Sequence, residues 1–242
     1  MRAAALLAAA VTLAATPALA QGVDEFGAYG GRGEPTESPQ DLSFELRFGP
    51  YVPSIDEGLA GEPFAQTFGD ATRWMLGMEV DWQALRLPKT LSFGPGVGVG
   101  YTSFSEDALL ADGTGRSAQG TSLSILPAHL VGVLRVDALA QRTPIPLAAH
   151  AKLGVGYALW WAGDDADVEG EGASYGLHWA VGGLLLLDAL DPGAAVFIDT
   201  DTGVNNSYLF FEWYESTLDG FGSGGQMRVG SRSWLLGLAL EI

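Results

Sequence analysis

The chain has 242 residues, with 12 basic against 29 acidic side chains, a formal charge of −17 and no cysteine. An acidic surplus of that size argues against nucleic acid as a partner and against a polybasic grip on anionic lipid. The missing cysteines exclude a disulfide framework, so stability has to come from backbone ladders and packing.

Met1 to Ala20 combines Arg2, a short alanine- and leucine-rich run, Pro17 and a small-x-small ending before Gln21. This pattern predicts a secretory signal peptide cut after Ala20. Its removal takes Arg2 with it, leaving 11 basic against 29 acidic residues, a formal −18 on 222 residues. That length suits one domain. Residues 21–40, rich in glycine, proline and acids, read as a flexible periplasmic lead-in, and 41–242 as the folded domain.

The first strand is predicted where Leu42, Phe44, Leu46 and Phe48 alternate with Ser43, Glu45, Arg47 and Gly49. A polar connection from Tyr51 to Asp70 leads to the most informative stretch, Arg73 to Tyr101. There Trp74, Leu76, Met78, Val80 and Trp82 share one parity, opposite Arg73, Glu79 and Asp81. After a turn at Pro88, Leu91, Phe93, Pro95, Val97, Val99 and Tyr101 oppose Gly94, Gly96, Gly98 and Gly100. A period of two makes both runs strands.

Four alternating glycines are out of place on the wet face of a soluble sheet. They suit the interior of a narrow barrel, which has room only for small side chains and a few paired charges. Trp74 and Trp82 are eight residues apart, as are Phe93 and Tyr101, which at roughly 40° of tilt corresponds to about 20 Å along the membrane normal. That approaches the spacing of two aromatic girdles, which we assign to Trp74, Trp82, Phe93, Tyr101, Tyr157 and Trp161.

A long loop is expected from Glu106 to Gln119. Strand four follows to Val136, its mixed parity suggesting a facing-shifting bulge at Pro127. Strand five runs from Ile145 to Trp161, and an acidic loop from Gly163 to Ser174. Strand six follows from Tyr175, with an excursion between Asp188 and Val204. Strand seven begins near Asn205, and the last strand ends on Trp234, Leu236, Leu238, Leu240 and Ile242. The fold class is therefore all-β: a single antiparallel transmembrane β-barrel of eight strands, with short periplasmic turns and longer extracellular loops. No apolar run after Ala20 reaches the length of a transmembrane helix, as expected for strands that show only half their residues to lipid. Alternation alone does not say which face meets water, so a soluble lipocalin-like binding barrel or β-sandwich stays open.

The phrases Phe44-Glu45-Leu46-Arg47-Phe48-Gly49-Pro50-Tyr51, Arg135-Val136-Asp137-Ala138-Leu139 and Asn206-Ser207-Tyr208-Leu209-Phe210-Phe211-Glu212-Trp213 resemble a family of myxobacterial-type outer-membrane β-barrel proteins of unassigned activity. The resemblance runs from Leu42 to the C-terminus and implies architecture only. The ending, with Gly237, Leu240 and Ile242, is similar to the strand read by the barrel assembly machinery. It departs at the last position, where an aromatic is usual.

The inward parity gathers Glu45, Arg47, Arg73, Glu79, Asp81, Lys152 and Glu212, joined by His129, His150 and His178. Unpaired charge in a tight lumen costs several kcal/mol, so a paired structural core is expected. The alternative is a gate in a narrow channel for small or apolar solutes. A third reading is a rim hydrolase using His178 with Ser174 or the nearby acids, although no nucleophile motif surrounds it. Asp164, Asp165, Asp167, Glu169 and Glu171 offer a loose cation site, yet Gly176 stands where a calcium loop needs its bidentate acid. Asp199 to Gly203 reads as a turn or cap. No zinc spacing, phosphate loop or dinucleotide fingerprint occurs, so no cofactor is implied. The expected partners are outer-membrane lipid and lipopolysaccharide in a Gram-negative envelope, and the assembly machinery at the C-terminal strand. The sequence leaves the oligomeric state open.

Overall fold

Strict alternation of apolar and polar residues produces a chain of antiparallel strands. The computed structural model describes residues 41–242 apart from 70–71, 88–89, 111–114, 165–166, 192, 194, 196–200 and 224. The signal-peptide and lead-in assignments therefore lie outside the described residues, as do the tip of the Pro88 turn and part of the 188–204 excursion.

The strands are β1 (Leu42–Tyr51), β2 (Arg73–Trp82), β3 (Leu85–Leu87), β4 (Leu91–Leu109), β5 (Arg116–Val136), β6 (Leu147–Asp164), β7 (Val168–Leu186), β8 (Asn206–Thr217) and β9 (Arg232–Glu241). Two short helices accompany them, α1 (Pro63–Phe68) between β1 and β2 and α2 (Ala138–Arg142) between β5 and β6. Every neighbouring pair is antiparallel, and β9 pairs with β1, so the sheet closes into a barrel. The closure is in register from Ser43↔Glu241 to Phe48↔Leu236. The amides of Asp41 and Leu42 both donate to the carbonyl of Ile242.

The barrel has eight walls, because β2 and β3 are one strand interrupted by a bulge. Asp81 pairs with Gly96 and Leu85 with Phe93, so four steps on one side face three on the other. The Ala84 amide donates to the Trp82 carbonyl at 2.9 Å. A Cβ at Gly94 would run into that same carbonyl, which is why the bulge sits opposite a glycine.

The expected bulge at Pro127 is not there. Pairing of β5 with β4 lapses opposite Leu126 and Pro127, where the proline has no amide to give, and resumes at Thr102↔Ile125 in the same register. The mixed parity has a different cause: the inward positions Leu123, Ile125, Val131 and Val133 are themselves apolar and buried.

The loops expected at Glu106 to Gln119 and Gly163 to Ser174 are largely strand. β4 to β7 run 18 to 21 residues, against 10 to 12 for β1, β2, β8 and β9. A strand needs about 9–11 residues to cross a membrane, so the surplus forms a four-stranded sheet projecting past one end of the barrel. Its outward positions turn polar there, as at Ser103, Ser105, Glu169 and Glu171. Loss of the greasy face is what made these segments read as loops.

At the same end α1 closes the mouth. Phe64 and Phe68 pack on the inward-pointing Phe104, with ring centroids 5.0 and 6.0 Å apart. Leu123, Ile125, Leu218, Val229 and Leu235 are buried in the same apolar cluster. The Asp56 carboxylate accepts from the amides of Phe64 and Ala65 at 2.7 and 2.9 Å. Arg116 donates to the Thr67 carbonyl at 3.0 Å, tying down the other end of the helix.

Candidate functional site

The outward face is apolar throughout the barrel proper. Phe44, Leu46, Phe48, Leu76, Met78, Val97, Leu130, Leu153, Val155, Val181, Leu209 and Leu236 are all exposed. Aromatics concentrate toward the ends of this belt. Trp74 stacks on Phe48 at 4.7 Å and meets Trp234 edge-on at 6.3 Å, while Tyr101 stacks on Trp161 at 6.2 Å. Of the residues assigned to girdles, Trp74, Trp82, Phe93, Tyr101 and Tyr157 are exposed and Trp161 is half-buried. With its backbone groups paired around a closed ring, such a surface is compatible with hydrocarbon and incompatible with water.

This is an outer-membrane β-barrel.

Neither a protein-family model nor a curated protein sequence matches the chain. Solved structures to which it is similar include the attachment invasion locus protein Ail of Yersinia pestis, crystallised with the heparin analogue sucrose octasulfate. That match has 11% identity and a TM-score of 0.44, over 84% of this chain and 97% of that one. Neisserial surface protein A matches at 12% identity and TM-score 0.40, over 83% and 94%. The outer membrane protein OprG of Pseudomonas aeruginosa matches at 11% identity and TM-score 0.46, over 84% and 96%.

Inside, the odd positions of β1, β2 and β5 and the even positions of β4, β6, β7 and β8 line the lumen. Glu45 and Glu79 are direct cross-strand partners. Lys152 comes from β6, which stands on the opposite wall from β1 in the ring order. Its ammonium lies 2.7 Å from Glu45, 2.8 Å from Glu79 and 3.3 Å from Glu212. Arg47 sends its two terminal nitrogens to Glu79 and Glu212. His129 meets Glu79 at 2.7 Å, and His150 meets Glu212 at 3.0 Å. Four carboxylates, counting the adjacent Asp81, thus face two permanent cations, with the His129 and His150 rings packed against Glu79 and Glu212.

The glycine stripe of β4 makes this cluster possible. A Cβ at Gly96 would strike the Asp81 carboxylate, and one at Gly98 the His129 ring. Bulk on the facing strands is compensated by its absence on β4.

Of the predicted lumen residues, Glu45, Arg47, Glu79, Asp81, Lys152 and Glu212 come together. Arg73 does not: it lies near the capped mouth, partly exposed, and pairs with Glu106 at 2.7 Å. His178 stacks on His129 at 4.3 Å and bonds Ser216 at 2.5 Å, whereas Ser174 donates to the Met227 carbonyl. A cavity of about 30 Å³ adjoins His129, His178, Tyr214 and Ser216 beneath the apolar cap. Among the acids of the β6–β7 hairpin, Asp164 accepts from Gln119 and from the Asp167 amide, while Glu169 and Glu171 point outward from β7. Asp165 lies outside the described residues. Among the described residues, the three carboxylates that bring ligand atoms within 4.8 Å of one another are Glu45, Glu79 and Asp81 in the lumen.

A second charged layer lies toward the barrel end where both termini of the sheet meet. Arg135 donates to Asp137 at 2.8 Å and reaches Glu241 across the lumen at 3.2 Å, with its guanidinium 4.1 Å from the Tyr208 ring centroid. Gln83 and Asn206 also donate to Glu241, at 2.7 and 2.8 Å. Sequence reasoning did not place Arg135 or Glu241 in the lumen. The parity was available, since Arg135 is six residues from His129 and Glu241 alternates with Leu240 and Ile242. The apolar inward neighbours Val131 and Val133 hid it.

Proposed function

We propose that the chain is a structural or surface-interaction protein of the outer membrane, its lumen plugged by paired charges, and that it is one of the myxobacterial-type barrels its phrases resemble. The observation that carries this reading is that ion pairs cross the bore. Lys152 reaches from one wall to Glu45 on the opposite wall, and Arg135 likewise to Glu241. Buried ions fixed this way leave no continuous water path, and displacing one means exposing its partners unpaired. The apolar cap of Phe64, Phe68 and Phe104 adds a dry seal at the mouth.

The projecting β4–β7 sheet supports an outward-directed role. At about 3.3 Å per residue its surplus length carries polar and acidic positions well past the lipid headgroups. There they would meet lipopolysaccharide, its bound cations, or another surface. The outward apolar parity of β9 fits docking of the last strand by the barrel assembly machinery.

Conductance decides between plug and channel. Wild-type protein in planar bilayers is expected to give no ion steps, and paired removal of Arg47 and Lys152 to introduce them. Steady wild-type conductance would replace this reading with the narrow channel.

A further inference from the structure

Between the central cluster and the Arg135 layer lies a second cavity, of about 10 Å³, lined by Ser43, Asp81, Gln83 and Arg135 with Gly94 and Val133. Ser43, Asp81, Gln83 and Arg135 come from three strands and the β2–β3 bulge, Ser92 of β4 is a fifth polar side chain in the lining, and none of the five is more than 7% exposed. Each of the first four contributes a buried atom that makes no well-formed hydrogen bond among the described residues: Ser43 Oγ, Asp81 Oδ1, Gln83 Oε1 and Arg135 Nη2. Four orphaned polar atoms around one small cavity are far more than a folded interior tolerates without a partner.

Their chemistry selects that partner. Gln83 spends its NH₂ on Glu241, so its free oxygen can only accept. Asp81 also offers an acceptor, Arg135 offers a donor, and the Ser43 hydroxyl serves either way. The occupant must therefore donate two hydrogen bonds, to Asp81 and Gln83, and accept at least one, from Arg135. A metal ion cannot accept, and it would stand against the Arg135 guanidinium. The neighbouring carboxylates Glu45 and Glu79 already hold the Lys152 ammonium at 2.7 and 2.8 Å. An anion would stand against the Glu45 and Glu79 carboxylates, whose oxygens lie within 4.8 Å of that of Asp81. The volume is at the lower limit for one water, and the site supplies the two to four polar partners that such a molecule requires.

We infer that this cavity is a binding site for a single water molecule held by Ser43, Asp81, Gln83 and Arg135. The water joins the central and terminal charge layers into one hydrogen-bonded column. The inference does not depend on whether the barrel conducts, since conductance tests the plug and the experiment below tests the cavity.

The test is a crystal structure of the full barrel in detergent, at a resolution that orders solvent, with a parallel soak in thallium(I) or manganese(II). The expected result is one density peak within hydrogen-bonding distance of the four atoms and no anomalous signal there. Anomalous signal at the peak would make it a cation site and overturn the assignment, as would direct contact between Asp81 and Arg135 with no peak. Ser43→Val gives an independent reading, because its methyls fill the cavity and displace the water. The folded-to-unfolded ratio should then fall roughly tenfold or more, the consequence of leaving buried acceptors unsatisfied. An unchanged ratio would mean the cavity is dry.

Discussion

Glu45 and Glu79 stand directly opposite each other on β1 and β2, two buried carboxylates on adjacent strands held together by one ammonium from across the barrel. Like charges in that position repel unless something neutralises them. Lys152→Met should therefore cost about 3–5 kcal/mol, the usual loss when one partner of a buried ion network is removed. Urea unfolding in lipid vesicles, followed by the gel shift between folded and boiled protein, measures it. Adding Glu79→Gln to the Met variant should recover part of the loss. If the double variant is no better than the single, the cluster is not organised around neutralising these acids.

The glycine stripe gives a second expectation. Gly98 lies where a Cβ would come against the His129 ring and 3.2 Å from a Glu79 oxygen, and valine there has to displace both. Overpacking of that kind costs about 1–3 kcal/mol. Gly170, on the projecting sheet with open space around it, should accept alanine within roughly 0.5 kcal/mol. Equal effects at the two positions would show that the lumen is looser than the packing of β4 against β2 and β5 implies.

How much of this was readable in advance depends on which face a residue serves. The lipid-facing positions from Phe44 to Trp82 and from Leu91 to Tyr101 announce themselves, because lipid demands apolar side chains at every second place. The lumen makes no such uniform demand. It accepts Glu79, Gly98, Val131 and Arg135 alike, so β5 looked bulged at Pro127 and its Arg135 went unassigned. Above the membrane the alternation disappears altogether. The extensions of β4 to β7 consequently resembled loops, although their backbone pairing reaches as far as Ser105 and Glu171. The cap was hidden for a third reason. Nothing in Pro63–Phe68 says that its two phenylalanines meet Phe104, a contact between residues about forty positions apart.

The apolar belt predicts a depth-dependent response to charge. Met78 lies midway between Trp74 and Trp82 and is 58% exposed on the outward face. Met78→Arg should cost about 2–4 kcal/mol in a bilayer, while Ser105→Arg, above the belt on β4, should cost about 0–1 kcal/mol. Unfolding both variants in vesicles of one lipid composition tests this. A penalty that does not differ between them would mean that the belt does not sit in hydrocarbon.

The mouth offers the last expectation, because α1 is held by few polar contacts. Its N-terminal amides at Phe64 and Ala65 are satisfied by Asp56, eight and nine residues earlier, and beside the packing of Phe64 and Phe68 on Phe104 a hydrogen bond from Arg116 to the Thr67 carbonyl ties it to the barrel wall. A six-residue helix cannot persist on its own. Asp56→Ala should remove about 1 kcal/mol of support and release the cap locally without unfolding the barrel. Hydrogen exchange is the appropriate readout: amides 63–69 should exchange at least several-fold faster while those of β1 and β9 keep their protection. The charged layers below would still block ions, so the conductance of Asp56→Ala should stay at the wild-type level. If loss of the cap alone opens the barrel to ions, the seal lies at the mouth, and the Arg47–Lys152 cluster is structural support rather than the plug.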